Sequence, residues 1–457
     1  MRLSQICIAI AQLGRGGAWS PLALWPDGIA TPGMWISPRT LTSEWQDYTG
    51  TTPVATPGTV ADSSNPVGLA LDIRAGATVL TDPGNHMLQS TSAARPLASA
   101  RVNLLTYTED FNTTGWRNFD SGMDVTTGQL DPDGNSTAVL LTPNTGSGYH
   151  GFDKPGYFSG IGNNTFRTLV KPNGLQYFFA LSGAAQVSEM GTLAACFDLT
   201  GDGSVVRVGA WNASATIDLD PSGYYICTIV SAIGSGGPCF GASDSSTWAA
   251  YTGDGVSGIY FAWPDLRVGN AGVGIPPYQS VPGDGSTYAT DFPIFQKYDG
   301  VDDGMATATF PAGTLIDGMD CMIAVRRDSE AAVLLGISGE PSFTEKYTGA
   351  CINNPGDVTY KNCGTPTVWV DRVQLAGGTT TTRAALFAAL TVGDWHILEY
   401  RNLNLSTWVA VHYGNVFTGL NFNGARGDIL LYPSTASTED KDAARQWLAD
   451  YYGVTLP

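Results

Sequence analysis

Positive charge is scarce in this 457-residue sequence: 23 Lys and Arg stand against 41 Asp and Glu, a formal net charge of −18. That field repels polyanions, and no Lys/Arg cluster offsets it, so a general nucleic-acid binder is excluded. Long hydrophobic runs are missing too. No stretch approaches the ~20 apolar residues of a membrane helix, and membrane insertion is not expected. Met1–Gly17 carries only a short apolar stretch around Ile6–Ile10, which reads as a buried first strand or a docking segment rather than a secretion signal. The cysteines (Cys7, Cys196, Cys227, Cys239, Cys321, Cys351 and Cys363) are odd in number, with no C-x-x-C and no zinc-ligand spacing to His. They read as small buried hydrophobes. Cys351 and Cys363 share a loop-rich stretch, but a disulfide is not the expected state, which suits a reducing compartment.

What the chain does have is turns and β-type runs. There are 56 Gly and 26 Pro, 43% of residues are apolar and 14% charged. Tyr224–Val230, Gly258–Trp263, Met319–Arg326, Thr367–Leu375, Trp395–Arg401, Thr407–Tyr413 and Asp428–Tyr432 are short, rich in Val, Ile, Tyr, Trp and Thr, and bounded by turn residues. Amphipathic helices between them are absent, which excludes a parallel α/β fold. The expectation is all-β, with two antiparallel β-sandwich domains and one C-terminal helix. Ser437 caps that helix, Glu439 and Asp440 sit on its first turn, and Gly453 stops it. Ala443, Ala444, Trp447, Leu448 and Tyr451 form its apolar stripe. The Pro/Gly-dense linker Gly269–Asp284 ends a self-contained β region that begins near residue 99.

Several phrases resemble a known kind of module. Trp45–Pro96, with WQDYTGTTPVATPG, NPVGLALD and GNHMLQSTSAARP, resembles the opening of laminin-G/concanavalin-like modules in tailed-bacteriophage structural proteins. In those modules a strand ending F-D-G-V-D-D follows soon after, whereas here YDGVDDG stands at Tyr298–Gly304, some two hundred residues later. Gly427–Val454 is similar to the usual strand, linker, helix and closing YGV. Between the halves, Arg101–Phe111 with Trp116, and Trp263–Tyr278, resemble the start and exit of a carbohydrate-binding-like jelly roll. The resemblance implies an anchoring or docking segment over 1–40 and a discontinuous sandwich over 41–98 plus 291–457. It further implies a jelly roll over 99–290, inserted at a surface loop as domain ends readily allow.

Candidate site residues follow from side-chain chemistry. Asp131, Asp133 and Asn135 have the spacing that opens a Ca²⁺ loop, but position 142 is Thr instead of the closing Glu, so a hairpin turn is the first reading and Ca²⁺ the alternative. Asp198 and Asp202 read as another hairpin. Asp299, Asp302 and Asp303 crowd three carboxylates into five residues, where a cation or Arg would relieve repulsion; a solvated turn is the plainer account. Glu399 alternates with Arg401 and reads as a salt bridge, and no paired-carboxylate glycosidase pattern or G-x-S-x-G appears. The four His are scattered. Trp and Tyr stack on sugar rings while keeping a polar edge wet. Trp211, Trp248, Tyr251 and Trp263 in the insert, and Trp369, Trp395 and Trp408 in the sandwich, are therefore the glycan candidates. Together with the resemblance this implies a non-enzymatic virion structural protein, a fibre, spike or surface decoration assembled in the host cytoplasm. Its expected partners are other virion proteins, copies of itself (a trimer favoured) and host surface glycan. It needs no cofactor, with Ca²⁺ as the one candidate ion. The alternatives are a capsid cement protein and a glycan depolymerase.

Overall fold

The computed structural model describes the chain apart from residues 1–18, 40–42, 55–57, 60–64, 76, 78, 79, 82, 83, 102, 113, 114, 155–157, 160–163, 183–189, 232–234, 269–277, 282, 284–291, 312, 313, 329–335, 340–345, 349–357, 378, 379 and 415–421. The segment Met1–Gly17, Cys351 and most of the Gly269–Asp284 linker lie outside the described residues. The fold is all-β, built from antiparallel sheets with a helix at the C-terminal end. The chain divides into two compact units, one made of residues 1–100 and 291–457 and the other of 101–290.

The first unit is a sandwich. Its large sheet centres on three long neighbours, Trp395–Asn404, Asp317–Arg327 and Asn423–Pro433; Phe295–Asp299 and then Leu97–Arg101 follow outward. The five-stranded sheet opposite pairs Met87–Leu88 with Gly304–Thr307, and Gly304–Thr307 with His412–Gly414. The period-2 alternation of strands sends Cys321, Ile323, Val325, Ile429 and Leu431 into the core between the sheets. It sends Met322, Ala324, Leu430 and Tyr432 to the outer face, where helix Thr438–Tyr452 covers them with Ala444, Leu448 and Tyr452. The helix begins where the Ser437 side chain accepts a hydrogen bond from the Asp440 N–H (3.0 Å) and ends at Gly453 with φ 70°.

Strands from both halves of the sequence share these sheets, and the point of insertion is visible. The chain leaves the first unit along Leu97–Arg101 and returns along Phe295–Asp299, and these strands are paired, Ser99 opposite Phe295. Within the second unit the ends are clamped together. The Asn103 amide donates to the Pro264 and Gln279 carbonyls and accepts from Leu105 and Leu266, while the Asn103 N–H donates to the Gln279 side chain.

The second unit is a jelly-roll-like sandwich of two six-stranded sheets. Its core is aromatic: Phe178 and Phe240 of one sheet meet Phe261 of the other, with Phe240 and Phe261 stacked at 4.3 Å.

Four expectations change. The segment 1–40 is not a separate docking piece in its described part. Met34–Ile36 pairs with Asn423–Pro433, and Trp25 is buried against Tyr432 because its indole N–H finds the Leu431 carbonyl at 3.1 Å. The run Thr407–Tyr413 keeps strand form only from His412, since the Asn404 side chain turns the chain at Ser406 and Trp408 plugs into the core. The Gly258 strand continues past Trp263 to Val268, a bulge accommodating Pro264. A short helix, Arg383–Ala389, forms from good helix formers behind a Thr382 cap.

Candidate functional site

The seven nominated aromatics separate by burial. Trp248 and Trp408 are core residues, 7% and 4% exposed, so neither is a glycan platform. Trp248 lies stacked on Tyr149 and against Phe179, and Trp408 fills the sandwich beside Gly339. Both were nominated for their chemistry, but sheet packing fixes them inside. The other five are half-buried, and most are occupied. Trp369 lies under the Arg401 guanidinium at 3.9 Å, Trp395 packs on Tyr452 and Phe295, and Trp211 leans on the cluster around Trp248. Tyr251 packs at a tilt against His150, ring centroids 4.6 Å apart, and its hydroxyl donates to the Ala242 carbonyl at 2.9 Å.

Trp263 is different. It sits in the bulge of the Gly258–Val268 strand, where Arg167 faces Asp265 but Leu169 faces Ala262, one residue being inserted. Trp263 absorbs the insertion with φ 53°, a conformation costing an L residue about 1–2 kcal/mol. The bulge aims its ring onto the outer face of the sheet, stacked on Tyr278 at 5.5 Å with the planes 8° apart. The same face carries Leu169, Tyr224, Ala262, Ile226 and Tyr260, with Tyr260, Ile226 and Trp263 half-exposed. Tyr224 forms the floor, its hydroxyl donating to the Leu130 carbonyl at 2.6 Å, and burial pushes that hydroxyl up to about 12. Chemically this is a flat apolar and aromatic surface with polar edges, the kind of surface on which a sugar ring stacks.

The carboxylate candidates fare unequally. Asp131 is buried and its carboxylate is spent within its own turn, accepting from the N–H groups of Asp133 and Asn135 at 2.9 Å each and from Thr137 at 2.6 Å; Asp133 and Asn135 face solvent. The turn reading therefore describes this loop. The Asp198 carboxylate likewise accepts from Thr200. Asp299, Asp302 and Asp303 do converge, with one oxygen of each lying within 4.8 Å of the others. Burial, with Asp299 beside it, pushes Asp303 up to about 8, Asp302 adding to the effect and Lys297 opposing it. Next to this turn, on the five-stranded sheet, lies an open groove of about 610 Å³ floored by Ala306 and walled by Asp302, His412, Gln89 and Tyr48. Tyr48 is 45% exposed on a loop that the Asp47 carboxylate ties down by accepting from Thr49, Thr51 and Thr52.

Other titratable groups are committed to structure. Glu399 is buried between Arg401 (2.8 Å) and Arg445 (3.0 Å). The His396 ring meets Asp371 through Nδ1 at 2.6 Å and accepts the Thr391 N–H through Nε2. His412 lies on the other sheet, so the two do not form a cross-strand pair. Glu189, Glu330, Glu340 and Glu345 lie outside the described residues. The five described cysteines are buried and free. Two residues escaped sequence reading. Tyr48 is one, and its signal was the D-Y-T-G-T-T phrase, a carboxylate followed by hydroxyl and amide donors. Arg167 is the other, a cation on the apolar outer face of the second unit, 9% exposed. No protein-family model and no curated protein matches the chain.

Proposed function

We propose that this chain is a non-enzymatic structural protein of a tailed-phage or phage-like particle, displayed on the particle surface and engaging a host surface glycan. The observation that carries the glycan part is the outer face of the second unit. A bulge holds Trp263 in a strained backbone conformation there, next to Tyr260 and Ile226, instead of letting it join the core. Strain kept in this way is offset elsewhere in the fold and is concentrated where surfaces work. The acidic turn Asp299–Asp303 is the place where Ca²⁺ would bind, three carboxylates answering the preference of that ion for oxygen.

The test is a glycan array probed with the full chain, with Ca²⁺ and EDTA arms. Binding by the wild type and a loss of about tenfold or more in Trp263→Ala and Tyr260→Ala are expected. Incubation with bound polysaccharide should release no reducing ends. Absence of binding to any glycan overturns the reading. A second reading, a cement protein that grips only other virion subunits, draws on the Asn212–Leu219 strand. It ends its sheet, and Ala213, Ser214, Thr216, Asp218 and Leu219 are exposed along it, an edge open to strand addition.

A further inference from the structure

The outer face of the second unit holds a cation that the protein does not satisfy. Arg167 lies on the central strand Asn164–Asn173, opposite Thr228 on one side and Asp265 on the other. Its side chain is nine-tenths buried, and its Nε and Nη1 meet no hydrogen-bond acceptor. Asp265 is the one carboxylate across from it, and that carboxylate is already engaged. It accepts Nε and Nη2 of Arg267 at 2.8 Å each, and the Gln279 N–H at 3.3 Å. Two guanidinium groups thus share one carboxylate. Burial pushes the Arg167 guanidinium down to about 10, with Asp265 opposing the shift and Arg267 adding to it.

A buried charge whose donors lack acceptors is destabilising, and the core gains nothing from it, since Arg167 lies on the face opposite to Phe166 and Val170, which face the core. Four residues along the same strand and on the same face, about 13 Å away at ~3.3 Å per residue, stands a second cation, Lys171, beside the Tyr224 ring at 5.8 Å. Between them lies Leu169, flanked by Ile226 and Ala262 on the neighbouring strands, and Tyr260 stands opposite Lys171. The face is thus apolar along its central strand with a cation at either end, and an acid beside that strip, Asp218 opposite Ile226, lies out on the edge strand Asn212–Leu219.

We infer that this face takes an acidic polysaccharide strand, a uronate carboxylate supplying the acceptor that Arg167 lacks while sugar rings lie over Tyr260 and Trp263. The inference rests on the glycan reading above and adds the class of sugar. Charge complementarity selects the partner: a neutral glycan would leave the guanidinium unpaired, and a rotamer change of Arg167 toward the incoming carboxylate is all the fit requires.

The experiment uses the full chain and three uronate polymers (oligogalacturonate, alginate oligomers and hyaluronan oligomers), each paired with its carboxyl-reduced neutral form, by calorimetry at fixed ionic strength. Binding of at least one acidic form tenfold or more tighter than its reduced form is expected. Arg167→Met should erase that preference, leaving the weaker neutral binding in place and raising the melting temperature of the unliganded protein. Arg167→Lys, which keeps the charge without the fork, should retain part of the preference. Equal affinity for acidic and reduced forms overturns the inference and leaves the glycan reading standing. No binding to any of these polymers overturns the inference, and only together with a blank glycan array does it overturn the glycan reading. Acetate at the same carboxylate concentration, binding the wild type as tightly as the acidic polymers do and not binding Arg167→Met, overturns the saccharide assignment in favour of a small-anion pocket.

Discussion

Each unit contains a sheet that is apolar on both faces, and the two sheets resolve that condition differently. In the first unit the outer face of Met322, Ala324, Leu430 and Tyr432 is covered by helix Thr438–Tyr452. In the second unit the outer face of Leu169, Ile226, Tyr260 and Trp263 has no helix over it among the described residues. The arginines differ in degree, since single buried donors of Arg401 and Arg426 in the first unit also lack acceptors. Arg445, buried under the covered face, pairs with Glu399 and Asp442, whereas Arg167 on the open face has two buried donors without acceptors. The covered face leaves single buried donors without acceptors at Tyr432 and Arg401, whereas the open face leaves two on one cation beside an aromatic patch, an arrangement suited to something outside the chain.

The contrast can be broken most directly by truncation. Leu448→Ala, removing a fully buried contact of the covering helix, should cost about 3–5 kcal/mol in the unfolding of the first unit. Trp263→Ala should cost the second unit less, about 1–2 kcal/mol, since a half-buried ring gives up less packing than a core side chain while φ 53° stays strained in Ala. Equal costs in denaturant titration would make both faces core and remove the distinction. A pH series sharpens the comparison of the units themselves. Glu44 of the first unit is fully buried; burial raises it to about 7, opposed by the hydrogen bond from Gln296 and by Arg426. Its folded pKa lies above its unfolded one, so the folded state holds the proton more tightly and stability is lost as pH rises from about 4.5 through 7. The loss should approach about 3 kcal/mol by pH 8, and Glu44→Gln should abolish it; a first unit equally stable at pH 5 and pH 8 would refute it. The smallest effect is local. Ser437→Ala removes the helix cap and should lower the stability of the first unit by about 1 kcal/mol, read as a shift in denaturation midpoint.

How much of this was legible depends on the range of the interactions. The ends of the C-terminal helix could be read because its cap, first-turn acids and terminal glycine act within a few residues of one another. The Asp131 turn was readable for the same reason, its carboxylate bonding two to six residues ahead. The buried stripe of the helix is Ala444, Leu448, Ala449 and Tyr452, turned by the sheet it packs on from the expected one through Ala443, Trp447 and Tyr451. Trp248 and Trp408 were misplaced because indole chemistry is the same in a core and on a surface, and only the opposing sheet decides. The run Gly258–Trp263 extends to Val268 because a bulge lets the strand pass Pro264, and that bulge exists only in register with Asn164–Asn173. Arg167 gave a faint signal, the Arg-Leu-Lys alternation at 167, 169 and 171. Its significance required knowing that Arg267 had already taken the Asp265 carboxylate.

By itself the sequence determined the strand-rich class, the acidic field, the hairpin turns and the ends of the last helix, since composition and neighbours a few residues apart suffice for those. Tertiary structure alone decided which face of each two-faced sheet went inward, and that Ser99 should meet Phe295 across the inserted unit. The reason is geometric. A period of two residues divides a strand into two faces, but where both are apolar it carries no mark of which will be covered, and only the packing of distant elements settles the choice.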